Sequence, residues 1–237
     1  LNTSYQAWLS TTFECVQCHS HTYDPFKFEE YYKSLAFFNN TRDEDTQGDH
    51  PKLRFYAAQD EKRIDSIKHW LAANGNANVV KSADLFLHTL EPKIHAHYSD
   101  QIVDGALYDT KWLGVRNSGS ARLKAIRLDG KKQLFMNFWT DAVGGKMEVH
   151  LNSPNGPLLT NVDLPKTSGR QVIQAAIVPT TGVHDLYLVF RNAAVAAGQP
   201  ICMIEWFAFR EDFPAGKPME NQRLQRTFLQ LVNLQPE

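Results

Sequence analysis

Apolar residues recur along this chain with two different periods. Up to about residue 98 they fall at three- and four-residue intervals, the spacing of one helix face. Tyr5, Trp8, Leu9 and Phe13 suit a short helix, and Tyr32, Leu35 and Phe38 predict a second over about 27–38, opened by Glu29 and Glu30. Ile64, Ile67, Trp70 and Leu71 form one stripe of an amphipathic helix within 57–73, closed at Asn74-Gly75. Residues 83–90 read as a strand or a short helix.

Beyond residue 100 the period changes to two. ARLKAIRL, QLFMNFW, KMEVHL, LLTNVDL, RQVIQAAIV, HDLYLVFR and ICMIEWFAF are short runs separated by Gly-, Pro-, Asn- and Asp-rich turns. That predicts an antiparallel β-sandwich, with Met147, Val149 and Leu151 on the core side of one strand and Leu186, Leu188 and Phe190 on that of another. Leu224, Phe228, Leu231 and Val232 then return to helical spacing, in a helix expected to pack elsewhere in a longer protein. The fold class is α+β. A helical region spans 1–98, a jelly-roll-like sandwich 99–212, and a helical segment 213–237.

Composition narrows the function classes. With 43% apolar residues in 237, the chain can bury a substantial core. A formal charge of −1 leaves no basic excess for displacing counterions, which argues against nucleic acid. No apolar run is long enough to span a membrane. The chain opens at Leu1 without a leader and reads as a piece of a longer precursor. G-x-S-x-G, H-E-x-x-H and P-loop patterns are absent, so the sequence makes no case for or against an enzyme.

The chemistry concentrates at Cys15-Val16-Gln17-Cys18-His19-Ser20-His21-Thr22-Tyr23-Asp24-Pro25. C-x-x-C-H is the spacing for covalent haem c, with Cys15 and Cys18 as thioether anchors and His19 as the iron ligand. The first methionine is Met136, far from the motif, so a second axial ligand falls to His50, His69, His88, His95, His97, a residue of the rest of a longer chain, or none, His21 being too near in sequence to reach the opposite face easily. Zinc on Cys15, Cys18 and one or both of His19 and His21 is the alternative, and a bare dithiol a third. Asp24-Pro25 reads as a helix start, with Asp24 accepting from free amides. His95 and His97 would share one face of a strand as a metal pair. Asp43, Glu44, Asp45 and Asp49 read as a solvated loop in preference to a calcium site. Cys202 and Trp206 read as core.

Residues 1–56, with C-x-x-C-H-x-H-x-x-D-P running on into Y-Y-x-x-x-A-F-F-N-N-T-R-D, resemble the multidomain proteins called planctomycete-type cytochrome c, also found in Bacteroidetes. The resemblance implies a periplasmic or cell-surface protein with a haem site and a redox partner protein. Residues 101–210 resemble family 6 carbohydrate-binding modules through G-K-M-E-V, G-P-L-L-T-N-V-D-L, D-L-Y-L-V-F and I-E-W-F-A-F, which implies a polysaccharide ligand. Where such modules carry a tryptophan pair after Ser168-Gly169, this chain has Arg170 and Ile173, and Met203-Ile204-Glu205 brings no Asn before Trp206. Trp112 and Trp139 are the alternative platforms for a sugar ring. The combined reading is an extracytoplasmic haem-binding electron-transfer module with an appended carbohydrate-binding-like sandwich. The alternative is a non-catalytic glycan- or protein-binding scaffold whose cysteine motif holds zinc or a bare dithiol.

Overall fold

A computed structural model describes residues 1–38, 52–214 and 218–234. The acidic loop 43–49 and His50 lie outside the described residues. The chain divides into two compact units, 1–49 and 50–237, so the change of sequence period near 98 is not where compactness breaks. Helices on both sides of the strand-rich stretch fold with the sheet.

The first unit contains α1 (Asn2–Leu9), a 3-10 turn (Glu14–Gln17) and α2 (Phe28–Phe38). Its core is Phe13, Val16 and Tyr31, with Tyr5 stacked on Phe13 at 3.8 Å. The predicted four-residue stripe is only half realised. α1 ends at Ser10, which takes a left-handed φ of 52°, and Phe13 turns inward beyond that break while Trp8 and Leu9 face solvent.

In the second unit α3 (Ala58–Asn74) and α4 (Ala77–Thr89) precede β1 (Ile94–His95), a 3-10 turn (Ala96–Tyr98) and β2 (Asp100–Tyr108). The strands continue as β3 (Trp112–Arg127), β4 (Gln133–Trp139), β5 (Gly145–Leu151), β6 (Leu158–Leu164), β7 (Gln171–Ala176), β8 (Val183–Arg191) and β9 (Cys202–Arg210), and α5 (Pro218–Asn233) follows. The order is β6-β5-β8-β3-β9-β4-β7, with β1 beside β9 and β2 beside β3, and every pairing is antiparallel. The edge strands nearly meet: Val178 N donates to Leu159 O at 2.9 Å and Thr160 Oγ1 to Ala176 O at 2.7 Å. The result is a β-sandwich curled towards a barrel.

All seven predicted runs are strand. The two segments missed, β2 and the first half of β3, lack clean alternation because left-handed residues and register shifts interrupt them, at Gln101, Asp104 and Ser118 among others. The expected core faces are as read: Met147, Val149, Leu186, Leu188 and Phe190 are buried in the sandwich interior.

A second core lies on the outside of the sheet. Phe135, Val172, Trp206 and Ala208 project outward and are covered by Ile64, Ile67 and Leu71 of α3, Phe86 and Leu87 of α4, and Leu224, Phe228, Leu231 and Val232 of α5. The C-terminal helix therefore packs on this unit and not elsewhere, correcting the expectation for it. Its stripe matches the outward aromatic residues of β4 and β9, which explains why those strands read as unbroken apolar runs. The stretch 83–90 belongs to a helix, whose N-cap Asn76 accepts from Asn78 N and Val79 N at 3.0 and 3.1 Å. α3 stops at Gly75 as predicted, and the position is reserved for glycine by space: a Cβ there would stand 2.7 Å from Pro214 Cγ.

Candidate functional site

Two groups of predicted site residues exist, one in each unit. In the first, Cys15 and Cys18 are free, exposed thiols carried by the 3-10 turn, where Cys18 N donates to Cys15 O at 3.4 Å. Val16, between them, points into the small core, so the i to i+3 spacing puts both thiols on the outer side of the turn. Exposed His19 places Nδ1 2.9 Å from Ser20 O, a contact that does not involve Nε2. His21 turns to local structure instead: its Nδ1 accepts from Asp24 N at 3.0 Å and Tyr23 N at 3.4 Å, and Asp24 Oδ2 stands 3.3 Å away.

Asp24 was expected to cap the following helix. That role passes to other side chains, with Glu30 Oε2 accepting from Lys27 N at 3.0 Å and Ser20 Oγ from Phe28 N at 3.2 Å. The turn directs Asp24 back towards His21 and away from the helix end.

Among the described residues no three His, Cys, Asp or Glu side chains converge on a point that would hold a metal ion. The candidate pair His95 and His97 does share a side, with rings stacked 5.4 Å apart, but the backbone leaves the strand between them for a 3-10 turn. His69 and His88 direct Nδ1 to the carbonyls of Asp65 and Asp84 four residues earlier.

The second group is in the sandwich. Trp139 ends β4 opposite Met203, and Trp112 begins β3 next to Leu113, which pairs with Ile204. The two tryptophans thus flank β9 from either side on the outward face, and their rings meet edge to face at 5.5 Å and 84°. Both are only partly buried. Arg170, from the loop before β7, lays its guanidinium over both rings, 5.5 Å from Trp112 and 5.2 Å from Trp139. Glu205 Oε2 holds Arg170 Nε at 3.4 Å.

The position of Glu205 comes from a bulge. Across β4, Asn137 pairs with Trp206 while Phe138 pairs with Ile204, leaving Glu205 as the extra residue of β9. The same irregularity lets Ile204 enter the sandwich interior while Trp206 faces the helices, where it is 3% exposed as core. Asn137, one pleat from Trp139, has a buried Oδ1 without a partner among the described residues.

Trp112 and Trp139 are therefore brought together, and Cys15, Cys18 and His19 share one turn. Sequence reasoning noted Arg170 and Glu205 as departures from a module pattern but missed that they form one cluster with the tryptophans. Only register across β3, β9 and β4 unites them. Cys202 is buried as expected, and burial pushes its thiol pKa up.

Comparison with known proteins places each half. Residues 106–211 match the family described as carbohydrate binding module (family 6), and residues 1–43 match PSCyt2, described as a protein of unknown function (DUF1549). An arabinoxylan arabinofuranohydrolase of Paenibacillus polymyxa is 42% identical over 92 residues, which are 37% of this chain and 13% of that protein. One from Bacillus subtilis (strain 168) is 41% identical over 51 residues, 20% of this chain and 10% of that protein. This chain thus matches only a small part of either enzyme.

Among solved structures, a family 6 carbohydrate-binding module from Clostridium cellulolyticum in complex with xylose is similar over 50% of this chain and 96% of its own, with TM-score 0.46 and 20% identity. A β-1,3-glucan-binding family 6 module from Bacillus halodurans covers 50% and 94%, with TM-score 0.44 and 23% identity. The strand-rich half is thus similar to family 6 carbohydrate-binding modules, and the N-terminal segment to a family without assigned function.

Proposed function

We propose that the 50–237 unit is a glycan-binding module whose platform is Trp112 and Trp139, tuned by Arg170 and Glu205. The observation that carries the reading is the convergence of two partly exposed indoles and one charge pair on an outward sheet face, within the segment that matches carbohydrate-binding modules. An indole offers a flat apolar surface for the C–H face of a pyranose, and the charge pair offers donors and acceptors for its hydroxyls. Arg170 occupies the indole faces, so an incoming ring meets the guanidinium first and is oriented by it. The named relatives act on arabinoxylan, and a β-linked xylan is the first polymer to try.

Affinity gel electrophoresis on arabinoxylan, β-1,3-glucan and cellulose tests the reading. Retardation by at least one polymer is expected, with a loss of about tenfold or more in affinity for Trp139→Ala or Trp112→Ala. No retardation on any polysaccharide would overturn it.

One observation favours a second, compatible reading for the first unit, a covalent haem c on Cys15 and Cys18 with His19 as iron ligand. Both thiols are exposed on the same turn, beside a His19 whose Nδ1 faces Ser20 O and whose Nε2 is left for coordination. Haem would supply one-electron chemistry when bound; the chain's own contribution is to anchor it and orient His19 through Ser20 O. An extracytoplasmic address follows from the same reading. Protein matured with haem-attachment machinery should show a Soret band, and unmodified peptide masses at both cysteines would refute it.

A further inference from the structure

Beside the tryptophan platform runs a groove of about 960 Å³, between the loop that carries Ser168, Gly169 and Arg170 and the last two turns of α5. Arg63, Arg170 and Arg226 line it, and among the described residues no carboxylate does. Three guanidinium groups on one groove are a local concentration of planar donors, with Asp60 and Glu205 offsetting the charge of Arg63 and Arg170 and Arg226 adding its own.

Two of the three are held in place. Arg63 donates to Asp60 Oδ1 at 2.9 Å and to Gln230 Oε1 at 2.6 Å, and Arg170 is held by Glu205. Arg226 stands exposed on α5. The carbonyl end of α5 also lies at this groove and by itself would repel an anion. Buried Arg54 removes that objection by donating to the carbonyls of Leu231 and Val232, both at 3.2 Å, and of Leu234. Arg170 both covers the indoles and lines the groove, so platform and groove adjoin through one side chain.

We infer that this groove binds the anionic substituents of an acidic polysaccharide, the carboxylates of uronic acid residues, while the neutral backbone of the same polymer lies on the tryptophan platform; the inference rests on the glycan-binding reading. The planar guanidinium fork matches a carboxylate bidentately, and the volume falls at the upper end of the range of about 300–1,000 Å³ usual for ligand sites, room for more than one sugar.

The test compares a uronate-bearing xylan with the same polymer after carboxyl reduction, by titration calorimetry on the 237-residue chain. Tighter binding of the acidic polymer by about tenfold at low salt is expected, narrowing as salt rises. Arg226→Gln and Arg63→Gln together should erase the difference and leave affinity for the reduced polymer unchanged, with thermal melting run alongside to verify folding. Arg226→Gln alone, at an exposed site, should lower the preference and serves if the double variant is unstable.

Equal affinity of wild type for both polymers overturns the inference and leaves the glycan reading standing, as does a preference that survives folded Arg226→Gln in full. Dextran sulfate and single-stranded DNA are the remaining arms. Tighter binding of sulfate esters would replace carboxylate as the recognised group, and binding of DNA as tight as that of the acidic xylan would overturn the assignment to a polysaccharide. Failure to bind any polysaccharide removes both readings.

Discussion

The two units contrast in how their chemistry is supported. In 1–49 the reactive residues sit close in sequence, on a single turn, above a core of Phe13, Val16 and Tyr31. In 50–237 the candidate site is assembled from β3, β4, β9 and the loop before β7, over two large cores on either face of one sheet. A local motif needs little fold to bring its atoms together but much to hold them still. The tryptophan cluster is the reverse: distant in sequence, and held by sheet register.

The sharpest way to break the contrast is to attack the outer core. Phe228 packs near Phe86, Phe135 and Phe213, at ring distances of 6.1, 6.0 and 5.4 Å. Phe228→Ala should destabilise the second unit by about 4 kcal/mol. If chemical denaturation shows less than about 1 kcal/mol, the helical layer is an ornament on a self-sufficient sandwich and the contrast is overstated.

Arg54 tests the same layer through its polar ties. It is 4% exposed and donates to the carbonyl of Leu87 at 3.1 Å as well as to those ending α5. Arg54→Leu leaves these acceptors without their donor at a cost of about 3 kcal/mol. A melting curve superimposable on wild type would mean that water serves them equally well.

Cys15→Ala with Cys18→Ala should remove covalent haem from matured protein yet leave the second unit's melting transition within about 0.5 kcal/mol, since exposed thiols away from structural ties contribute little. A larger shift would mean that the two units share stability.

The smallest effect expected is electrostatic. Arg122 joins β2 to β8, bonding Asp100 at 2.7 and 2.6 Å and Asp185 at 2.9 Å. These bonds hold the Asp100 carboxyl below its usual value. A depressed carboxylate contributes stability that is complete above its unfolded value of about 4 and disappears as pH falls through the lower folded value. Melting temperature should therefore fall on acidification in that window, and Arg122→Gln should flatten this part of the profile. Because Asp100 is partly exposed, solvent screening keeps the effect small.

Much of this was legible in the residues. The change of period from three or four to two marks where the main strands begin, and the alternation of Met147, Val149, Leu186 and Leu188 identifies the interior face. C-V-Q-C-H presented two thiols and an imidazole in five consecutive letters, and the structure puts both thiols on one turn. Less legible was β2, because bulged strands lose the alternation that pattern reading depends on. The second core was also hidden. Phe135 and Trp206 look like any core residues, and nothing local says that one side of their strands faces a sandwich and the other a layer of helices.

What the sequence by itself determined, then, is what depends on near neighbours: element type, strand polarity, the thiol pair and its histidine. Tertiary structure decided what depends on register. One extra residue in β9 turns Glu205 to hold Arg170, and antiparallel pairing brings Trp112 and Trp139 to either side of the same strand. Such pairings join positions as far apart as Leu113 and Ile204, and no spacing along the chain encodes them.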